Sequence, residues 1–173
     1  VYSEGYKTVT VKTPKSWKSV KVTATSNKKS VAKVKKTAAK KIKVTGVKPG
    51  TAKVTVKVTY KTSTKKSAKT KTKKLTYTMK VAKASVALSG DSAVAVGSTT
   101  KLTTTKKASS RAKITYTSSD ETIATVSEDG TVKGVKAGKA TIKATLKIGK
   151  DAATATQEVE VKNYVLSTVA QNK

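Results

Sequence analysis

Two pairs of neighbouring carboxylates are the side chains whose types and spacing most resemble a metal site. They are Asp120–Glu121 and Glu128–Asp129, and carboxylate oxygens are ligands that Ca²⁺ prefers. Asp120 follows two serines, however, and Asp129 precedes Gly130 in the Asp-Gly pair that is typical of a hairpin turn. The sequence therefore favours turn-forming roles for these acids and predicts no metal site.

Conventional nucleophilic catalysis lacks its components in this chain. There is no Cys and no His, and the only Arg is Arg111. Disulfide scaffolds, zinc fingers and Ser–His or Cys–His catalysis are therefore excluded. Ser and Thr are abundant but have no base beside them in the sequence that would activate a hydroxyl. We expect a protein that is not an enzyme, with no catalytic residues and no cofactor.

Positive charge is the most extreme feature of the composition. The net charge is +29, of which residues 1–83 contribute +24 (25 Lys, one acid) and residues 84–173 contribute +5 (13 Lys and Arg, eight acids). Such a field attracts polyanions. One Lys-rich segment forms a candidate patch for teichoic acid, nucleic acid or an acidic glycan. It contains Lys65, Lys66, Lys69, Lys71, Lys73 and Lys74.

Specific nucleic-acid recognition is not expected, because Arg, the bidentate base reader, and stacking aromatic residues are scarce. Lys alone gives salt-sensitive attraction without sequence preference. Lysines on outward strand faces also protect sheet edges against unwanted pairing. The sequence favours solvated Lys faces, with adhesion to an anionic cell-wall polymer or glycan as a secondary consequence.

Apolar and polar residues alternate without a break in residues 53–60 and 141–148. This period of two is typical of a strand with one buried face. No stretch has helical spacing, and no apolar run approaches the 18 residues that a membrane helix needs. We predict an all-β protein without membrane insertion. Trp17, the single Trp, is interpreted as a cover for one end of a core rather than as an exposed ligand platform.

An internal repeat divides the chain. Residues 46–50 match residues 134–138 at an offset of 88, and residues 22–26 match residues 114–118 at an offset of 92. Traced back, the second offset places Gly5 opposite Gly97. Each copy has roughly 80 residues, a normal size for a β-sandwich.

The repeat predicts a domain 1 over residues 1–82 that is very basic and incomplete. It also predicts a domain 2 over residues 83–162 and a tail over residues 163–173. The fold class is therefore two tandem immunoglobulin-like β-sandwiches, the first of which lacks its own first strand.

The second copy resembles the group 2 bacterial immunoglobulin-like domain. The resemblance is carried by Val-Ala-Leu-Ser at residues 86–89, Ile-Thr-Tyr-Thr-Ser-Ser-Asp at residues 114–120 and Gly-Val-Lys-Ala-Gly at residues 134–138. The position often held by Trp in that family is Tyr116 here, and Ala24 in the first copy. The family implies a seven-strand sandwich in secreted or surface proteins of bacteria, used in stalks and adhesion modules, without catalytic residues.

The two ends of the chain are complementary. The first strand of the second copy is residues 84–89, and its counterpart in the first copy would lie before Val1. Residues 163–170, in contrast, look like the first strand of a further copy. Aligning Val81 with Val159 places residues 86–89 on residues 164–167. The candidate donor residues of this strand are Tyr164, Val165, Leu166 and Val169. Of these, Tyr164 and Leu166 are expected to point inward.

Three interpretations of these ends remain open. The chain is a fragment of a longer tandem array, or its tail inserts into domain 1 of the next subunit, or the tail is unpaired or self-inserted. Insertion is β-strand addition, and because the contact need not close it produces a filament. Our leading hypothesis is an extracellular structural subunit that forms a homopolymer in this way. A stalk or adhesion segment of a bacterial surface protein and a Lys-rich polyanion-binding module are the alternatives.

Overall fold

Strands, turns and loops make up the described part of the chain, which in this computed structural model is residues 1–164. The predicted all-β class is confirmed. In this part of the chain no helix is long and apolar enough to cross a membrane.

The first strands are β1 (Tyr6–Thr10), β2 (Lys18–Ser26), β3 (Ala32–Ala38), β4 (Lys41–Gly46), β5 (Gly50–Lys61), β6 (Lys71–Val81) and β7 (Ser85–Ser89). The next are β8 (Ala93–Ala95), β9 (Thr99–Lys101), β10 (Thr103–Lys107) and β11 (Lys113–Ser118). The last are β12 (Ala124–Val126), β13 (Thr131–Gly134), β14 (Gly138–Ile148) and β15 (Asp151–Lys162).

The chain divides into two compact units. Unit 1 consists of Val1–Ala84 with the short segments Ala108–Ala112 and Ile148–Asp151. Unit 2 consists of Ser85–Lys107, Lys113–Lys147 and the chain from Ala152 onward. Each unit has its own cluster of buried apolar side chains.

Two three-stranded antiparallel sheets form unit 1, in the orders β1-β4-β3 and β2-β5-β6. Val54, Val56 and Val58 of β5 are at most 2 % exposed, and polar residues alternate with them on the outer face. Burying one face of each sheet in this way requires the period of two that the sequence shows. Valine supplies most of the core, with Ile42 and Met79 filling the larger spaces.

Unit 2 has sheets in the orders β10-β7, β12-β13-β9 and β11-β14-β15-β8. All recorded pairs are antiparallel except that of β8 with β15, which is parallel. Ile142, Leu146 and Leu102 are among the largest fully buried side chains. The alternation predicted for residues 141–148 therefore places its apolar residues inside.

The hydrogen bonds of the two units correct the predicted alignment between the two copies of the repeat. Glu4 donates its N–H to the Gly46 carbonyl at 2.8 Å, and Gly97 donates to the Gly134 carbonyl at 2.9 Å. Gly46 and Gly134 are counterparts, so Glu4 is the counterpart of Gly97. The predicted match of Gly5 to Gly97 is wrong by one residue. Glu4 has a φ of 58° and Gly97 of 81°, a backbone conformation that glycine adopts most readily.

The extra residue of unit 1 is accounted for by a β-bulge. The register of β2 shifts between Lys18 and Lys21, where Ser19 has a φ of 50°. Beyond the bulge the predicted offset of 92 holds, and Ala24 stands at the position of Tyr116. Hydrogen bonds and strand pairing fix an offset of 93 from Tyr2 to Thr8, and carrying this offset forward relates residues 10–14 to β10.

Candidate functional site: an unpaired edge and a lysine–threonine face

In unit 2, β7 covers one edge of β10. The two strands pair antiparallel, from Thr103 opposite Ser89 to Lys107 opposite Ser85. Leu88, near the end of β7, packs against the core of the unit. Thus β7 provides both main-chain pairing and an apolar side chain.

Within residues 1–164, the corresponding edge of unit 1 has no such partner. By the offset of 93, residues 10–14 are the counterparts of β10, yet among residues 1–164 no strand pairs with residues 11–14. Val11 is nevertheless fixed on its inner side, since it is 7 % exposed and its N–H donates to the Lys40 carbonyl at 2.8 Å. The segment is therefore anchored to the core, but the described part of the chain supplies it with no neighbour equivalent to β7.

The predicted donor segment is described only at its beginning. Tyr164 belongs to no strand, and its side chain is 68 % exposed. The other candidate donor residues, Val165, Leu166 and Val169, lie outside the described residues. The predicted inward positions of Tyr164 and Leu166 in a neighbouring subunit stay predictions.

Parallel bridges fix where this segment falls in the repeat. Tyr2 pairs with Ala82 in unit 1, and Ala95 pairs with Lys162 in unit 2. Tyr2 and Ala95 are related by the offset of 93, so Lys162 is the counterpart of Ala82. The residues that follow Lys162 thus occupy the same place in the repeat as the residues that lead into β7.

This equivalence moves the alignment of the tail by two residues relative to the predicted match of Val81 with Val159. Counted along the sequence from Lys162, Leu166 corresponds to Val86 and Thr168 to Leu88. A shift of two residues leaves the same side chains on each face of a strand. Leu166 therefore remains a candidate for the inward face.

The candidate polyanion patch is divided between a loop and a strand. Lys65, Lys66 and Lys69 lie in the loop between β5 and β6, and the other three predicted lysines lie on β6. Those three do not share a face of the strand: Lys71 and Lys73 lie on one face of β6, and Lys74 lies on the other. Lys71 and Lys73 stand opposite the inward-facing Tyr60 and Val58, and Lys74 stands opposite the outward-facing Lys57.

Cross-strand pairing creates a different basic surface, which sequence reasoning missed. It is the outer face of the β2-β5-β6 sheet, called here the Lys/Thr face. Its lysines are Lys21, Lys53, Lys57, Lys61, Lys74 and Lys80. Every other outward position from residue 21 to 25, 51 to 61 and 72 to 80 is Thr. The sequence signal for this face is the strict alternation of Thr and Lys at the outward positions of β5.

Trp17 packs into unit 1. Its indole ring stacks on the Tyr60 ring with the centroids 3.6 Å apart, and it packs against the core cluster. The Lys73 ammonium lies 5.7 Å from the centre of the indole. This arrangement fits the interpretation of Trp17 as a cover for one end of the core.

Two acids of unit 2, Asp120 and Asp129, accept hydrogen bonds within turns. Thr122 donates both its N–H and its hydroxyl to Asp120, at 2.9 and 2.6 Å, and these bonds lower the pKa of the carboxyl. The pKa of Asp129 is also lowered, first by the ammonium of Lys101 and then by the hydroxyl of Ser127 and the N–H of Thr131. Over residues 1–164, no group of three or more acids is placed to hold a metal ion.

Comparison with known families identifies the second half of the chain. Residues 80–157 match the family of the bacterial Ig-like domain (group 2). This part of the chain is therefore similar to a bacterial Ig-like domain of group 2. This match covers β7 to β14 and most of β15, and it confirms the resemblance and the immunoglobulin-like fold class predicted from the sequence.

Among curated proteins, a 36-residue stretch of the chain is 61% identical to an α-L-arabinofuranosidase of Bifidobacterium longum subsp. longum. The stretch is 21% of this chain and 3% of that enzyme. The matched stretch thus spans only a small part of this relative.

Among solved structures, the chain is similar to domains 4 and 5 of the S-layer protein SbsC, with 29% identity and a TM-score of 0.32. That alignment covers 81% of this chain and 70% of that chain. The first two domains of chicken VE-cadherin align over 94% of each chain, with 12% identity and a TM-score of 0.35.

Proposed function

We propose that this chain is a non-enzymatic structural segment of an extracellular bacterial protein that assembles head to tail by β-strand addition. Residues 163–170 of one copy pair with residues 10–14 of unit 1 in the next. The observation that carries the proposal is the contrast between the units. In unit 2, β7 pairs with β10, whereas among residues 1–164 no strand pairs with residues 11–14.

The proposed pairing follows the register of unit 2. Val86 stands opposite Lys106 and Leu88 opposite Thr104, and by the offset of 93 these partners correspond to Thr13 and Val11. Leu166 of the donor is then opposite Thr13, and Thr168 is opposite Val11. Main-chain hydrogen bonds supply the affinity, and the alternate side chains that face the core supply the specificity.

Pro14 limits where the added strand begins. Proline has no N–H to donate, so within sheets it is found at strand ends and edges. Pro14 is the counterpart of Lys107, which lies at the end of the β10–β7 pair. The ladder therefore extends from Thr13 toward Thr10, and the proline at its end prevents the strand from continuing.

Head-to-tail strand addition uses a different surface on each partner, so it does not close on itself unless the rotation between subunits returns to the start. A filament is the expected product. We also propose an extracellular location, because the resemblance to group 2 Ig-like domains implies a secreted or surface protein. The absence of Cys and His from the sequence supports the proposed lack of catalysis, because it removes Ser–His and Cys–His mechanisms.

Sedimentation and electron microscopy of the full chain over micromolar to millimolar concentrations test the proposal. We expect polymers from the unaltered chain and monomers from the Leu166→Asp variant, because an ionised side chain cannot enter an apolar groove. Gln171→Asp, which adds the same charge outside the donor segment, should polymerise normally. An unaltered chain that remains monomeric throughout would refute strand addition.

The second candidate function is a stalk segment, in which a preceding strand of a longer protein fills the edge beside residues 10–14. The group 2 Ig-like match is compatible with this candidate, and the β7–β10 pair of unit 2 shows where such a strand would lie. Adding a peptide of residues 163–170 to the Leu166→Asp variant distinguishes the two. Capture of this peptide by unit 1 supports strand addition, and failure to bind leaves the stalk function.

A further inference from the structure

We infer that the Lys/Thr face of unit 1 is a docking surface for a linear phosphate-bearing polymer of the bacterial cell envelope. Outward positions of β2, β5 and β6 carry either an ammonium or a hydroxyl, as described above. No carboxylate lies on this face, and unit 1 has Glu4 as its only acid before residue 84. The inference does not depend on strand addition, since Thr10 lies in β1 of the other sheet and residues 11–14 lie outside the β2-β5-β6 sheet.

Like charges stand directly opposite each other on this face. Lys57 of β5 is paired with Lys74 of β6. Directly opposed residues in an antiparallel sheet have Cβ atoms about 5 Å apart, and like charges at that spacing are destabilising. A bound polyanion would remove this repulsion, so docking and the stability of unit 1 are linked.

On the corresponding face of unit 2, acidic side chains neutralise part of the positive charge. Lys139 of β14 forms an ion pair with Glu158 of β15 at 2.9 Å, on the outer side of the equivalent sheet. Among residues 1–164 the recorded ion pairs all lie in unit 2. Among residues 1–164, no carboxylate is paired with a lysine of the Lys/Thr face, so a bound polyanion could supply the balancing charge.

The spacing of the cations suits a repeating ligand. Lys53, Lys57 and Lys61 recur at every fourth residue of β5, which at the rise of a strand places them about 13 Å apart. Thr hydroxyls lie between them, and Thr55 and Thr76 are hydrogen-bonded across the strands at 3.2 Å. A polymer with many identical anions can engage several of these cations at once, which raises its overall affinity.

The chemistry of the face favours a phosphodiester chain without bases over other polyanions. Reading duplex bases relies on Arg and amide side chains, and binding single strands relies on exposed aromatic rings, none of which occurs at these positions. Docking on a lipid surface through insertion needs apolar side chains, which this face also lacks. Ammonium and hydroxyl groups are sufficient for poly(glycerol phosphate).

The test compares two variants of the full chain with equal loss of charge. Lys53→Gln, Lys57→Gln and Lys74→Gln together alter the Lys/Thr face. Lys33→Gln, Lys35→Gln and Lys41→Gln together alter exposed residues of β3 and β4 in the other sheet. At about 50 mM NaCl we expect the first set to weaken binding of poly(glycerol phosphate) about tenfold and the second to change it less than about twofold.

Equal weakening by the two sets would show that net charge alone attracts the polymer, and would overturn the assignment of the face. Absence of binding by the unaltered chain at that salt concentration would overturn it as well. Duplex DNA or phosphatidylglycerol vesicles that bind as tightly as the polymer would overturn the choice of ligand.

A second measurement on the unaltered chain does not depend on any variant. Backbone amide shifts are followed while the same polymer is added. We expect the largest changes in β2, β5 and β6 and small changes in β1, β3 and β4. Changes spread evenly over unit 1 would contradict a defined docking face. Polymerisation is measured in the same samples, so that failure of polymer docking can be distinguished from failure of strand addition.

Discussion

The indole of Trp17 and the ring of Tyr60 stack face to face, with centroids 3.6 Å apart and planes 4° from parallel. Tyr60 is the last buried residue of β5, and Trp17 immediately precedes β2. The stack thus covers the end of the unit 1 core where Val58 also lies. Aromatic area substitutes there for the larger aliphatic residues that this chain seldom uses.

Trp17→Ala should destabilise unit 1 by about 3 kcal/mol, because the change removes a large packed side chain and leaves a space above Tyr60. Hydrogen exchange of the β2 and β5 amides measures this loss within unit 1. Leu75→Ala is the matched control, since Leu75 is 59 % exposed, and its effect should stay within about 0.5 kcal/mol. Equal losses in the two variants would contradict the role of the stack.

Tyr77→Phe should preserve or increase the stability of unit 1. The Tyr77 hydroxyl is buried and has no hydrogen-bond partner, and burial raises the pKa of its phenol. Ionisation is therefore harder in the folded state, so stability is lost as the pH rises above the unfolded pKa near 10. Thermal unfolding between pH 8 and 11 should show a smaller alkaline loss for Tyr77→Phe than for Tyr6→Phe, which alters an exposed ring.

Asp129→Asn should reduce the pH dependence of unit 2 in acid. The folded pKa of Asp129 is depressed by the Lys101 ammonium and by hydrogen bonds from Ser127 and Thr131. Its contribution is complete above the unfolded value of 3.8 and is lost as the pH falls toward the folded pKa.

Unfolding temperatures from pH 2 to 7 test this expectation. The unaltered chain and the variant should differ most near neutral pH and converge in strong acid. Glu121→Gln, in the neighbouring turn, serves as the control for removing one exposed carboxylate. A constant difference at every pH would show that the bonds of Asp129 do not depend on its ionisation.

Gly134→Ala should destabilise unit 2 through a backbone clash. A Cβ at Gly134 would lie 2.6 Å from the Ala95 carbonyl oxygen, and the equivalent contact of Gly46 with the Tyr2 carbonyl oxygen is 2.7 Å. Moving β8 away from β13 should cost about 2 kcal/mol or more.

Gly97→Ala separates this clash from backbone strain. No atom lies within 4 Å of a Cβ at Gly97, but its φ of 81° is unfavourable for alanine, so we expect a loss of about 1 kcal/mol. Chemical denaturation that ranks Gly97→Ala as the more damaging change would contradict the close approach at Gly134.

Much of the fold could be predicted from residues 53–60 and 141–148, because the side chains of a strand alternate between core and solvent by local geometry alone. The register at the start of unit 1 could not. Glu4 adopts a glycine-like φ, and the bulge at Ser19 absorbs one residue. An alignment guided by Gly5 and Gly97 cannot detect either feature, because both depend on how the strands pair.

The candidate sites were predictable to different degrees. The repeat predicted an incomplete first copy, and among residues 1–164 no strand pairs with residues 11–14, although aligning the two copies there needed Tyr2 and Ala95 as markers. The candidate polyanion patch was predicted from lysines that are close together in the sequence. Strand pairing instead places Lys57 beside Lys74 and directs Lys73 toward Trp17, so closeness along the chain was a poor guide to a shared surface.

The sequence by itself determined the strand period, the excess of positive charge in the first copy, the lack of Cys and His, and the repeat that relates β7 to the tail. These properties depend only on the order and number of residues, so they do not require knowledge of the tertiary structure. Tertiary structure decided which lysines share a face, which glycine positions meet backbone, and that residues 11–14 have no partner strand among residues 1–164. Those properties arise from pairing between distant segments, whose register is set by the packing of the core.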